Sequence, residues 1–527
     1  MPHLSANLIT LLPELVLTVT GIVIMLAEPL ITPGKSRKPL GWLAILGTLA
    51  SGLAALYQLR IVDSLGPNSG GPIPGSPAGS PAGVFTAFYA TLQIDAFSVF
   101  FHLLIAAVVL VTLLASLDYF EDGLPSEKQV THAGEYFALV LFGATGMMFM
   151  TCSVELLMVF IGLEISSIST YILAGFRKGR ATASEAAIKY FLLGSFATAF
   201  FLYGIALCFG ATGSTSIAAI ATGLAVTKTP LLGWLAVAMV LIGLGFKVSA
   251  APFHIWTPDV YQGAPSPVVA LMSTAPKAAA FAVLLRFLFD ATPMYRNHWI
   301  LMIEILAVAS MTIGNLGALL QRDVKRLLAY SSIATAGYIL VAFTASERDA
   351  VSSACFYTAA YAAMNVGAFL VLTQLSGFDE KLRTIQDFTG LALRRPVLSA
   401  VFGLFLISLI GIPFTGGFFG KFFVFSAAVH SGHTWLAIVG LANSGVACFY
   451  YLRVLSALYS RPSTDTLADI PTARRVTFPA ALALTATAAA TLCLGILPNH
   501  LLHLVQRATA TTAAQTIPAP TTTIAKR

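Results

Sequence analysis

The chain has 527 residues, of which 57% are apolar and only 10% charged, with a formal net charge of +7. A soluble domain needs roughly 25% charged residues to face water, and the mean hydropathy of +0.83 agrees that the outer surface faces a lipid bilayer instead. The basic excess lies in short loops between apolar runs, and no basic stretch is interleaved with stacking aromatics, so nucleic acid is excluded as a partner. The five cysteines, Cys152, Cys208, Cys355, Cys448 and Cys493, are far apart in sequence without a CxxC, so the spacing predicts no zinc or iron–sulfur ligation.

The first apolar run, at about 8–26, lacks a basic n-region and reads as a retained helix rather than a cleaved signal. Further spans are expected at about 40–59, 96–117, 134–151, 154–175, 185–209, 231–262, 267–289, 298–320, 325–345, 351–376, 397–431, 434–458 and 476–497. Backbone polar groups in lipid must be satisfied within a segment or a closed barrel, and runs of this length without strict alternation are not barrel strands. The expected fold is therefore an all-α polytopic membrane protein with about 14 transmembrane helices.

Alternate loops divide the positive charge unequally. Lys35, Arg37, Lys38, Lys128, Arg177, Lys178, Arg180, Arg322, Lys325, Arg326, Lys381, Arg383, Arg394, Arg395, Arg461, Arg474 and Arg475 fall on one side. Arg60, Lys228, Arg296, Arg348, Arg507, Lys526 and Arg527 fall on the other. The richer side is expected to be cytoplasmic, which puts both termini outside. Between the second and third spans, 67–83 contains GSPA twice in tandem and reads as a flexible linker. The Thr/Ala-rich tail carries no chemistry.

Two long segments are interrupted. The seventh carries Lys247 and then Pro252-Phe253; the twelfth carries Pro413-Phe414, Gly416-Gly417 and Lys421. Proline removes a backbone donor and clashes one turn back, so both helices are expected to break. Spans four to eight and nine to thirteen form two blocks of five, each with the interrupted helix fourth. Because five is odd, the second block starts from the opposite face and the repeat is expected to be inverted. The domain reading is a three-helix N-terminal region with a Gly/Pro/Ser-rich loop (1–133), a first repeat (134–290), a second (298–459), and a last helix with a polar tail (460–527).

Six basic residues fall inside spans. Arg286 and Arg453 lie near helix ends and are expected to snorkel. Lys189, Lys247, Lys277 and Lys421 lie deep, and a central lysine costs about 2.5–3.5 kcal/mol on insertion scales. Glu164 is the only carboxylate deep within an expected span, Glu14 and Glu304 reading as interfacial anchors. It is placed to meet Lys189 across a short loop, where a 4 Å pair gains about 4 kcal/mol. A static pair gluing two helices explains Lys189 alone, but one glutamate cannot neutralise four lysines. Unpaired ammonium groups in a dry interior repel one another and favour proton loss, so the row reads as a proton relay. His254, between Lys247 and Lys277, is either a bridging proton site or an ordinary interfacial residue beside Trp256.

The run Gly245-Phe246-Lys247-Val248-Ser249-Ala250-Ala251-Pro252-Phe253-His254-Ile255-Trp256-Thr257-Pro258-Asp259-Val260-Tyr261, with Gly263-Ala264-Pro265 and Pro276-Lys277, resembles the signature of the antiporter-like subunits of respiratory complex I. Gly162-Leu163-Glu164, Gly314-Asn315 and 322–332 match as well. The pattern looks most like subunit N, since subunit M usually carries glutamate where this chain has Lys421 and subunit L has a long C-terminal lateral helix. The resemblance implies an uptake pair of Glu164 and Lys189, a central switch at Lys247, a bridge through His254 to Lys277, and Lys421 on the exit side. It implies a bacterial inner-membrane location, other membrane subunits as partners, and a peripheral arm holding FMN and iron–sulfur clusters, with no cofactor in this chain. NADH oxidation and quinone reduction would occur elsewhere in the assembly, and no GxGxxG follows a strand here. Competing readings are a subunit of a multisubunit sodium/proton antiporter or of an energy-converting hydrogenase, a free-standing secondary transporter, and a passive scaffold. The transporter lacks a polar solute site, and the scaffold leaves the lysines unexplained.

Overall fold

The computed structural model describes residues 7–32, 35–64, 84–120, 132–177, 179–461 and 476–513. The linker expected at 67–83, Lys128, Lys178, Arg474, Arg475, Lys526 and Arg527 lie outside the described residues.

The chain is a bundle of helices. In order they are α1 Leu12–Ala27, α2 Lys38–Ser64, α3 Ala96–Ser116, α4 Ala133–Cys152, α5 Leu156–Ala174, α6 Ala181–Thr212, α7 Ile217–Val226, α8 Pro230–Val248, α9 Trp256–Gly263, α10 Ser266–Met272, α11 Ala275–Leu285, α12 Arg296–Leu319, α13 Val324–Val341, α14 Glu347–Ser376, α15 Pro396–Ile410, α16 Gly416–His430, α17 Thr434–Tyr459, α18 Phe478–Ile496 and α19 Pro498–Ala513. Among the described residues, 13 helical segments are long and apolar enough to cross a membrane. The twelfth expected span is supplied by the shorter pair α15 and α16. A small hairpin, β1 Phe85–Ala87 and β2 Leu92–Ile94, pairs antiparallel before α3.

Burial sorts the helices into layers. Ser266–Ala291 is wholly enclosed, and α13 and α14 nearly so, whereas α1, α6, α12 and α17 bury only about a third of their residues. Outer positions such as Leu192, Phe196, Ile305, Leu316 and Phe449 are exposed large hydrophobics, as a lipid-facing wall requires. Close helix pairs rest on small residues. A side chain at Gly146 would strike the Gly162 carbonyl of α5, and one at Gly314 would strike the Ala334 backbone of α13.

Both expected helix breaks are present. α8 stops at Val248, where Ser249 takes a left-handed conformation (φ 64°) and returns its N–H to Gly245 and Phe246. α15 stops at Gly411 (φ 94°), and α16 restarts at Gly416 with Gly417 against the Ser408 carbonyl. A third break, between α10 and α11, was not expected. Pro276 has no N–H to continue the ladder, and the Ser273 and Thr274 hydroxyls bond back to the Ala270 and Leu271 carbonyls. The span expected at 267–289 is thus two helices, and its last turn, Arg286–Ala291, widens to π geometry.

The two expected blocks share local devices. An acid caps the second helix of each, Glu155 accepting from Met158 N–H and Asp323 from Arg326 N–H. Each cap residue also forms an isolated bridge to the chain after the third helix, Glu155 to Ser216 and Asp323 to Thr384.

Candidate functional site

Three deeply buried lysines, Lys247, Lys277 and Lys421, each sit beside a helix break. Lys247 is in the last turn of α8 and donates to Ser167 Oγ of α5 at 2.6 Å, below the faces of Tyr171 and Tyr190. Lys277, in the first turn of α11, donates to Ser332 Oγ of α13 at 2.5 Å and to the Ser332 carbonyl at 3.4 Å. Lys421, in α16, donates to the Leu409 and Ile410 carbonyls at 3.2 and 2.8 Å and to Ser444 Oγ at 2.7 Å. Those carbonyls end α15 and have no successor turn to bond, so the break itself creates the lysine's acceptors. The three lysines are at most 7% exposed, and none forms an ion pair among the described residues.

Between Lys277 and Lys421 runs a band of polar side chains. Ser332 Oγ also accepts from Tyr361 OH at 2.7 Å. Neighbouring Ser331 is hydrogen-bonded to Tyr451 OH. Tyr450 OH donates to Asn315 Oδ1 at 3.0 Å, and Asn315 Nδ2 donates to Tyr338 OH at 3.0 Å and to Asn443 Oδ1 at 3.3 Å. The Tyr338 ring lies 5.0 Å from Lys421 Nζ. Hydroxyls both donate and accept, so such a band is able to carry protons through otherwise apolar packing. Only Asn315, Ser331 and Ser332 fell within the motif stretches singled out in the sequence. The tyrosines did not, because aromatic residues in apolar runs carry no signal of their partners.

The acids are distributed differently from the expectation. Lys189 is not paired with Glu164. It donates to Asp259 of α9 at 2.7 Å and approaches Glu185 at 2.6 Å, and its side chain is 41% exposed. Glu185 lies one turn away on the same helix, and Asp259 is carried in by the break after α8. Arg326 of α13 also grips Asp259, at 2.5 Å. Glu164 is half-buried and forms no hydrogen bond or ion pair with Lys189 or Lys247 among the described residues. His254 lies in the break with Nδ1 buried and without a hydrogen-bond partner. No hydrogen bond joins it to Lys247 or Lys277 among the described residues.

Three further readings are corrected. Glu14 is not an interfacial anchor but is 1% exposed, with Oε1 3.4 Å from His102 Nε2. Arg286 does not snorkel, for its Nη2 donates to both carboxylate oxygens of buried Asp95 at 2.9 Å. Arg453 turns inward and caps α12, donating to the Leu319 and Gln321 carbonyls at 3.0 and 2.5 Å. A buried junction was missed altogether. Glu380, in the loop after α14, accepts from Ser266 N–H and Oγ, from Lys325 Nζ and, at 3.0 Å, from Arg177 Nη1. The sequence placed these charges in loops, where they counted only toward orientation.

A broken-helix bundle with lysines buried at its interruptions defines a polytopic subunit of the antiporter-like class. The family described as NADH:quinone oxidoreductase/Mrp antiporter, TM, matches residues 153–447. The NADH-quinone oxidoreductase subunit N 2 of Koribacter versatilis is 51% identical over 501 residues, covering 95% of this chain and 96% of that protein. A chain of respiratory complex I from Thermus thermophilus with bound aureothin superposes with a TM-score of 0.75 at 33% identity, covering 94% of this chain and 99% of that one. A chain of the Mrp complex from Dietzia sp. reaches a TM-score of 0.80 at 20% identity, covering 97% and 99%, a likeness of fold alone. The chain belongs to the NADH-quinone oxidoreductase subunit N family.

Proposed function

We propose that this chain is a proton-translocating membrane subunit of an NADH:quinone oxidoreductase and carries protons along a buried relay of Glu164, Lys189, Lys247, His254, Lys277 and Lys421. It does so as a non-redox subunit, with FMN, iron–sulfur clusters and quinone chemistry in its partners. The observation that carries the relay is the placement of Lys247, Lys277 and Lys421, each at a helix break and bonded only to uncharged oxygens. A lysine kept for structure gains more from a carboxylate. One held on hydroxyls and carbonyls has no fixed counter-charge, and it gives up its proton where a hydroxyl accepts it while passing its own proton onward. Full-length similarity to subunit N, against a fold-level likeness to the Mrp chain, favours the respiratory reading over the antiporter.

The matching acid caps and bridges of the two blocks support an inverted repeat over 134–290 and 298–459. The loop charges support a bacterial inner-membrane orientation with both termini periplasmic, which reporter fusions at each end would check. The relay is tested by Lys247→Ala in the assembled complex. Proton translocation should fall severely while assembly persists. Pumping at the parental level in intact complex would overturn the assignment.

A further inference from the structure

A second group of buried polar side chains lies away from the lysine row, where α1, α3 and α4 meet. Glu14 comes from the first turn of α1, His102 from α3, and Cys152 is the last residue of α4. Glu14 Oε1 lies 3.4 Å from His102 Nε2 and 3.7 Å from Cys152 Sγ. The Met148 carbonyl, one turn before Cys152, lies 3.3 Å from the same His102 nitrogen. All three side chains are essentially inaccessible. Cys152 is covered by Phe85, Ala87, Leu92 and Ile94 of the β1–β2 hairpin, which seals this end.

We propose that Glu14, His102, Cys152 and the Met148 carbonyl form a binding site for one borderline divalent d-block cation of the zinc type. A tetrahedral zinc with bonds of about 2.0–2.1 Å to nitrogen and oxygen and about 2.3 Å to sulfur places its ligand atoms roughly 3.3–3.6 Å apart. The two separations at His102 Nε2, 3.3 and 3.4 Å, lie at that spacing and the oxygen–sulfur separation of 3.7 Å is just beyond it, whereas a hydrogen bond to His102 Nε2 would normally be nearer 2.9 Å. Charge points the same way. Arg286 and Asp95 beside the site neutralise each other in a bidentate pair. Glu14 is left facing an imidazole and a thiol, and its Oε2 has no hydrogen-bond partner among the described residues. A divalent cation displaces the Cys152 thiol proton to water and forms the metal–sulfur bond. The carboxylate, thiolate and cation then sum to zero charge, as a dry interior requires. The thiolate and imidazole select zinc-like ions over magnesium or calcium, which prefer all-oxygen shells. The spacing argument against zinc fails here because the ligands come from three helices rather than one motif. Occupancy would brace the N-terminal three-helix region against the first block.

The test uses the intact complex, washed with chelator and then exposed to zinc. Parental complex should retain one zinc more than Cys152→Ala complex. The extra zinc should show one sulfur at about 2.3 Å and oxygen or nitrogen at about 2.0 Å by X-ray absorption. Equal zinc in the two, or an extra zinc without a sulfur shell, would overturn the site and leave a hydrogen-bonded trio. Should Cys152→Ala complex fail to assemble, zinc retained by parental complex should still show the sulfur shell at about 2.3 Å by X-ray absorption, and its absence would overturn the proposal. Glu14→Gln and His102→Gln should each lose the extra zinc while leaving Cys152 in place.

Discussion

The Glu380 junction sets a quantitative expectation. One carboxylate holds Arg177 from the α5–α6 loop, Lys325 at the start of α13 and Ser266 at the start of α10. Glu380 does so from a left-handed backbone (φ 46°), a conformation that persists only where the surroundings over-determine it. Glu380→Gln removes the acid that Arg177 and Lys325, both buried, share among the described residues. Breaking a buried pair by deleting one partner costs about 3–5 kcal/mol, because the remaining charge is left uncompensated. Lys325 keeps the Ala264 carbonyl at 2.6 Å, so most of the cost falls on Arg177, whose Nε and Nη2 are already without partners. The assay is the thermal midpoint of detergent-solubilised complex, read by thiol-reactive dye, with the amount of assembled complex in membranes beside it. Arg177→Met with Glu380→Met should be less destabilised than Glu380→Gln, since it strands no arginine. Burial acts to raise the Glu380 carboxyl, but Lys325, Arg177 and Ser266 outweigh it and hold it below the ordinary carboxylate value. Its contribution is therefore complete above the unfolded value of about 4.3 and is lost as pH falls through the lower folded value. The gap between parent and Glu380→Gln should narrow in that acid window alone. Coincident midpoints near pH 7 would refute the reasoning.

Other outcomes follow from the same geometry. Lys277→Arg keeps the charge but holds its proton too firmly to release it, so pumping in assembled complex should fall even though Ser332 still has a cationic donor. Ser332→Ala removes the oxygen shared by Lys277 and Tyr361. A charge-assisted hydrogen bond is worth about 1.5–3 kcal/mol, so turnover should drop at least tenfold with assembly intact, and parental turnover would take Ser332 out of the path. Asp95→Asn strands Arg286 and should cost about 3–5 kcal/mol, seen as reduced complex in membranes, whereas Asp95→Asn with Arg286→Met should restore most of it.

What was legible in the sequence depended on how local its signal is. Apolar runs announce helices because lipid leaves the backbone no other partner, so every expected span has a helix or helix pair. Pro252 and Gly416-Gly417 announced two breaks for the same reason. The break before Lys277 escaped because its proline sits just inside a helix start, where it also reads as an ordinary first-turn residue. Charged partners were less legible. Asp259 is sequentially beside the first break yet meets Lys189 and Arg326 from two other helices. Glu14, near a helix end in sequence, is buried against His102 and Cys152, which come from two other helices. Pairings such as Arg286 with Asp95 span 191 positions, a separation that local pattern does not reach.

The bond from Lys421 to the end of α15 has a consequence for water. While the ammonium rests on the Leu409 and Ile410 carbonyls, those oxygens need no solvent and the gap between the half-helices stays dry. If the side chain swings away, the Leu409 carbonyl is stranded in an apolar interior and the Ile410 carbonyl keeps only the Ser444 hydroxyl at 3.4 Å, and the cheapest replacement is water. Motion of this lysine and wetting of the gap are therefore one event. The side chain that would hand on a proton is also the stopper that admits the medium through which the proton leaves.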